Sequence, residues 1–184
     1  MAEVHIVRSA QTRAELDCYK TVVEQTATSL VIRHEQYCSN IRGHQRVKLT
    51  LPRSTDLSLK NIAGSVRLGA IDGMLRLNSI AGQVTVAQVQ AAEISSLANG
   101  LTIGLAQPGE QGIRISSITG GIDLSVGYSV NTNIVVTSLR GEIQNDAPDA
   151  SVTKMGQSGF NILIGSGGKP ISVSSIEGGI RIHH

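Results

Sequence analysis

Leu68-Gly69-Ala70-Ile71-Asp72-Gly73-Met74-Leu75-Arg76-Leu77 runs directly into Leu77-Asn78-Ser79-Ile80-Ala81-Gly82-Gln83-Val84-Thr85-Val86. The second stretch repeats the order of the first: an apolar residue, two small residues, Ile, any residue, Gly, any residue, then apolar, any, apolar. The same order recurs from Leu59 to Leu68, Ile94 to Ile103, Ile115 to Leu124, Val136 to Ile143 and Val173 to Ile182. Self-similarity of this kind decides the fold more firmly than local propensity does. The anchor positions are Ile62, Ile71, Ile80, Val89, Leu97, Ile118, Leu139 and Ile176. Early anchors are nine residues apart, and the last steps are 21, 21 and 37. With nine residues as half a coil, a full coil takes about 17 to 21, the size of a solenoid repeat.

Each place in the repeat has a physical reason. Val66-Arg67-Leu68 and Ile180-Arg181-Ile182 alternate apolar with polar, the period of a half-buried strand. From Leu77 to Ile80 the alternation breaks, which puts a corner between them. Glycines at 64, 73, 82, 120, 141 and 178 follow two residues after an anchor, where a tight corner can require positive φ. Asn99 stands where a glycine is expected, and Asn is the next residue to tolerate the left-handed region. One strand cannot bury its apolar face alone, so the units must stack, Ile on Ile and Ser on Ser. The expected fold is therefore an all-β, single-stranded β-solenoid over residues 46–184.

Residues 1–45 are less regular and more charged, and read as an N-terminal β-hairpin or cap. Thr21-Val22-Val23 and Leu30-Val31-Ile32 flank a polar turn. A loop centred on Thr28 places Cys18 opposite Cys38, close enough for a disulfide if the geometry suits. A loop centred one residue earlier pairs Val22 with Ile32 and Val23 with Val31, and offsets the cysteines by two. An even cysteine count suits an oxidising compartment, whereas two buried thiols suit any. Val47-Lys48-Leu49-Thr50-Leu51 reads as a strand stopped by Pro52, Ala10 to Cys18 is the one helix candidate, and Gln107–Gln111 and Gln144–Gly159 read as polar loops.

Composition narrows the function classes. The chain has 184 residues, of which 40% are hydrophobic, enough for a core and against disorder. Its apolar runs are too short for a transmembrane helix, and Met1 to Ala10 lacks the apolar segment of a signal peptide. Sixteen basic against 14 acidic residues argue against nucleic acid as partner. Tyr19, Tyr37, Tyr128 and Phe160 are the only aromatics, too few for base-stacking platforms or aromatic sugar pockets.

Three stretches resemble the bacterial adhesin domain family of unknown function, whose members form Ser/Gly-rich single-stranded β-solenoids. They are Leu51-Pro52-Arg53-Ser54-Thr55-Asp56-Leu57-Ser58-Leu59, the Ser-Ser-Ile-x-Gly units, and Gly165-Ser166-Gly167-Gly168-Lys169-Pro170-Ile171 leading into the last unit. The likeness covers residues 47–184. It departs after the glycine, where the family usually carries Asp or Glu and this chain has Ser65, Met74, Gln83, Gly121, Glu142 and Gly179. The resemblance implies a solenoid exported to the cell envelope, periplasm or surface, and brings no catalytic residues.

Direct signs of chemistry are sparse. The outward strand positions Arg67, Arg76, Thr85, Thr102, Asp123, Gln144 and Arg181 place no two acids side by side. Carbohydrate-cleaving β-helices need such pairs, so the enzyme reading would have to assemble Glu110, Asp146 and Asp149 from loops. Calcium-binding nonapeptide solenoids need an Asp in every unit, and the rungs contain no His for acyl transfer. His5, His34 and His44 lie outside the repeat and serve no nucleophile motif. Gly165-Ser166-Gly167-Gly168 reads as a flexible turn rather than a phosphate loop. No cofactor or metal site is expected; His183-His184 alone make a poor one. The best binding candidate is a surface Ser ladder, Ser79, Ser96, Ser117, Ser138 and Ser175, facing a cell-surface polysaccharide or protein; otherwise these hydroxyls bond nearby backbone. The last strand, Ile180-Arg181-Ile182, is expected to leave an open solenoid end for homo-oligomer formation, which Arg181→Pro would abolish. Together these give a non-enzymatic structural or adhesion module, with a cytosolic bactofilin-like scaffold as the alternative.

Overall fold

The alternation in the repeat becomes strand throughout the computed structural model. Leu101, Ile103 and Leu105 are buried while Thr102 between them is exposed. The structure describes residues 51–184 in full, and the backbone and pairing of Glu3–Val7 (β1), Arg13–Leu16 (β2), Thr21–Gln25 (β3), Ser29–His34 (β4) and Val47–Thr50 (β5). Then come Asp56–Ile62 (β6), Val66–Ile80 (β7), Val84–Leu97 (β8), Leu101–Leu105 (β9), Ile113–Thr119 (β10) and Ile122–Val126 (β11). Thr132–Arg140 (β12), Ile143–Asn145 (β13), Ala150–Met155 (β14), Gly159–Ile164 (β15), Pro170–Glu177 (β16) and Ile180–His183 (β17) complete the order. The protein is all-β, with no helix among the described residues.

Fifteen strands join one sheet that wraps around its core and nearly closes. One face runs β6, the C-terminal half of β7, the C-terminal half of β8, β10, β16 and β12, all paired in parallel. The other runs the N-terminal halves of β7 and β8, then β9, β11, β17 and β13, also in parallel. Strands β7 and β8 belong to both faces, bending between them at register shifts. We call one strand from each face, with the corner that joins them, a rung. Ile62 faces Ile80, 18 residues on, and Thr85 faces Thr102, 17 on. The nine-residue step therefore alternates between faces.

Stacked apolar rows form the core. Leu59, Leu77, Ile94, Ile115, Val173 and Val136 are neighbours in that order, all buried. Val84, Leu101, Ile122 and Ile180 do the same on the opposite face, each 2% exposed or less. Burying one such side chain contributes about 1.5–3 kcal/mol.

Several expectations are corrected. Arg13–Leu16, inside the helix candidate, is a strand paired with β5, so pairing outweighs local propensity. Residues 144–159 are not one loop, because β14 and β15 form an antiparallel hairpin at the outer edge of the stack. That edge is exposed, which explains its polar composition. The β3–β4 hairpin exists in neither anticipated register: Val23 faces Ile32 and Val22 faces Arg33. Strand β4 also pairs with β1, and β1 with β6, which puts Val23, Ile32, Val4 and Leu59 in one row. The third strand decides the register. Cys18 and Cys38 lie outside the described residues.

The largest correction concerns the C-terminal end. Spatial order departs from chain order, since β16 lies between β10 and β12, and β17 between β11 and β13. Ile180-Arg181-Ile182 is therefore paired on both sides and presents no open edge. The free edges at that end of the stack are those of β14 on one face and β13 on the other. End-to-end growth through the last strand has no basis in this arrangement.

Candidate functional site

The corners are of two kinds, and the difference builds the site. In the first rungs Asn61, Ser79 and Ser96 take left-handed φ values of 56 to 57°. That turn reverses the side-chain alternation, so Ile80 and Leu97 point inward and are fully buried. In the later rungs the strand continues unbroken and the turn falls on Gly120 (φ 91°) and Gly178 (φ 135°). There the preceding Ser faces inward and the anchor faces out. A Cβ on Gly120 would lie 2.5 Å from the backbone of Asn99, so close approach as well as φ demands glycine. Asn99 itself does not take the left-handed turn; its side-chain amide donates to the Ala81 carbonyl.

The sequence's Ser ladder is therefore split. Ser79 and Ser96 are on the outer surface, and Ser79 donates to Asn78 Oδ1 at 2.9 Å. Ser117, Ser175 and Ser138 stack as neighbours but are buried inside the stack. Ser117 Oγ donates to the Thr119 carbonyl at 3.0 Å and Ser138 Oγ to that of Gly178 at 3.4 Å. Ser117 and Ser138 serve the corner backbone, Ser175 Oγ is buried without a hydrogen-bond partner, and none of the three is open to a ligand from outside. Their outward neighbours Ile118, Ile176 and Leu139 instead form an exposed apolar ridge, at 47, 49 and 72%. Sequence reading missed this ridge. Its signal is the residue after the anchor, which is Ala63, Ala81 and Ala98 in the earlier corners but the polar Thr119, Arg140 and Glu177 beside the ridge.

Beyond the glycine corner lies a shallow trough of about 430 Å³ running across the rungs. Gly100, Gly121 and Gly179 form its floor, with Thr102, Asp123 and Arg181 as one wall and Gln83 and Glu142 at its ends. None of the three floor glycines has positive φ. A Cβ on Gly100 or Gly121 would meet a neighbouring carbonyl at 3.5 to 3.6 Å, an ordinary contact. Backbone and packing therefore admit a side chain at both, yet the floor is bare main chain. Side-chain contacts set the wall: Asp123 Oδ1 is 2.8 Å from His183 Nε2, and Arg181 Nε donates to Asp146 Oδ2 at 2.8 Å. The Asp146 carboxyl lies below its usual range because Gln144 and Arg181 both donate to it.

Asp123 and Glu142 both line the trough, but β17 separates their strands. Two strand spacings and a two-residue offset put their Cα atoms about 12 Å apart. What the trough offers is a row of donors and acceptors beside an apolar ridge. The loop carboxylates of the enzyme reading do not converge. Glu110 is 2.5 Å from Lys169 Nζ, Asp146 holds Arg181, and Asp149 Oδ1 is 2.6 Å from His184 Nε2. Among the described residues no three His, Cys, Asp or Glu side chains gather as a metal site, and no helix is long and apolar enough to cross a membrane. The side chains of His5, His34 and His44 lie outside the description. No protein-family model, curated protein or solved structure matches the chain.

Proposed function

We propose that the protein is a single-stranded β-solenoid acting as a non-enzymatic structural or adhesion module of the bacterial cell envelope. On this reading the glycine-floored trough is the face that receives an extended cell-surface polysaccharide. The observation that carries it is the bare floor: Gly100 and Gly121 have room for side chains and carry none. The floor carbonyls of Gly100, Gly121 and Gly179 already accept ladder hydrogen bonds, so the floor supplies a flat, side-chain-free bed. The polar wall of Thr102, Asp123 and Arg181 suits the hydroxyls of a chain lying along the stack, and the apolar ridge suits the carbon faces between them. The resemblance of residues 47–184 to the adhesin family points the same way. The parallel ladders favour the solenoid, because each rung hands the same row positions to the next.

Affinity electrophoresis through gels containing bacterial envelope polysaccharides tests the reading. The wild-type protein is expected to be retarded, and Gly121→Tyr, which fills the floor, to lose at least about tenfold in affinity with an unchanged melting temperature. Failure of the wild-type chain to be retarded by any envelope polysaccharide overturns the proposal.

A further inference from the structure

The C-terminal segment enters the stack out of turn. After β11 the chain crosses to β12 and leaves a gap one rung wide, builds β12 to β15 beyond it, then returns through residues 165–169 to fill the gap. The filling arm is β16 and β17. Until it arrives, β10 and β12 on one face, and β11 and β13 on the other, each present an unpaired edge towards the gap. Four facing edges make a template for one strand pair of this repeat, whichever chain supplies it.

The gap recognises its arm through side chains as well. Ile171, Val173, Ile180 and Ile182 point inward and are 1% exposed or less. Ion pairs tie the arm and its hinge to other parts of the chain: Lys169 to Glu110, Glu177 to Arg140, and Arg181 to Asp146. The ring of His184 contacts the Val126 carbonyl at 2.9 Å and Asp149, and stacks on Tyr128 with centroids 4.7 Å apart. Every one of these partners lies outside β16 and β17, so a second copy offers the arm the same set.

The hinge is built to be closed or opened. Gly165 and Gly167 have φ of 60 and 77°, and Ser166 donates its N–H to Asn131 Oδ1 at 2.9 Å. A Cβ on Gly167 would lie 2.8 Å from Leu163 Cδ1. Closing the loop therefore needs left-handed glycine, whereas an extended hinge does not. We propose that the β16–β17 arm is exchangeable, and that its partner is the gap of a second copy of this chain, giving a swapped dimer. This differs from growth through an open end, because the arm is inserted between strands in both forms.

Paired single-cysteine chains read the exchange directly. In a Cys18→Ser, Cys38→Ser background, one chain carries Ser116→Cys and the other Ser174→Cys, positions that face each other across β10 and β16. A chain carrying both substitutions serves as the control for bond geometry. The two single-cysteine chains are unfolded together in urea, refolded over a range of concentrations and oxidised. We expect a cross-chain disulfide that grows with concentration, accompanied by a dimer in light scattering. It should be absent when the chains are mixed after folding, and at least about twofold more abundant with Gly167→Pro, which blocks the closed hinge. If the double-cysteine chain closes its bond internally but the mixed chains give no cross-chain bond at any concentration, the exchange is overturned. That result would leave the polysaccharide reading untouched.

Discussion

Ile80 and Ile118 hold the same place in the repeat, yet one is fully buried and the other 47% exposed. The cause is one residue away. Ser79 turns left-handed and swings Ile80 inward, while Ser117 stays extended, faces the core and leaves Ile118 outside. Ile80→Ala should cost about 2–5 kcal/mol in urea unfolding, the range for a buried aliphatic truncated to Ala. Ile118→Ala should change stability by no more than about 0.5 kcal/mol, as exposed substitutions do. Equal costs at the two sites would contradict the two corner types. Both isoleucines were legible as repeat anchors. Their burial was not, because one backbone angle decides which face a side chain takes.

Charged contacts hold the arm of β16 and β17 and the residue that follows it. Both ring nitrogens of His184 face acceptors, the Val126 carbonyl and the Asp149 carboxylate, and its side chain is 5% exposed. Only the imidazolium donates to both, so the His184 pKa is raised from 6.5 by Asp149 first and the Val126 carbonyl second. Asp149 is lowered from 3.8, mainly by the hydrogen bond from His184. A raised histidine stabilises fully below about pH 6.5 and loses that contribution as pH climbs through the raised value. A lowered carboxylate stabilises fully above about pH 3.8 and loses its part as pH falls through the lowered value. The pair is thus at full strength between those limits. His184→Phe should flatten the fall in urea midpoint as pH rises above about 6.5; an unchanged fall would show that other groups carry it.

For the whole molecule, chain order and spatial order disagree, and folding has to accommodate this. Strands β6 to β11 pair with one another across about 17 to 21 residues, whereas Ile122 meets Ile180 and Ile113 meets Ile171, 58 residues on. Closing such long loops comes late, after local ladders have formed. Ile180→Ala should therefore act mainly on unfolding, speeding it about tenfold or more with little change in folding rate. Leu75→Ala, within the early β7–β8 pairing, should slow folding instead. Stopped-flow chevrons separate the two, and a slowed folding limb for Ile180→Ala would place the arm in the nucleus.

The all-β class, the corner between Leu77 and Ile80, the nine-residue step between faces and the inward strand rows were contained in the sequence, because strand alternation is a short-range property of residue type. The early left-handed turns, by contrast, fall on Asn61, Ser79 and Ser96 and not on Gly64, Gly73 or Gly82. The positive-φ corners at Gly120 and Gly178 were readable from glycine standing two residues after the anchor. Tertiary structure alone decided the rest. The β3–β4 register follows a third strand, and the burial of Ser117 and Ser175 follows a turn placed three residues later, at Gly120 and Gly178. The position of the last rung follows from competition among nearly identical edges. Ile115-Ser116-Ser117-Ile118 and Val173-Ser174-Ser175-Ile176 carry almost the same pattern, so the pattern says that they can neighbour each other. Which edges remain free when each strand arrives is a property of the folded stack, and that is what placed β17 inside it.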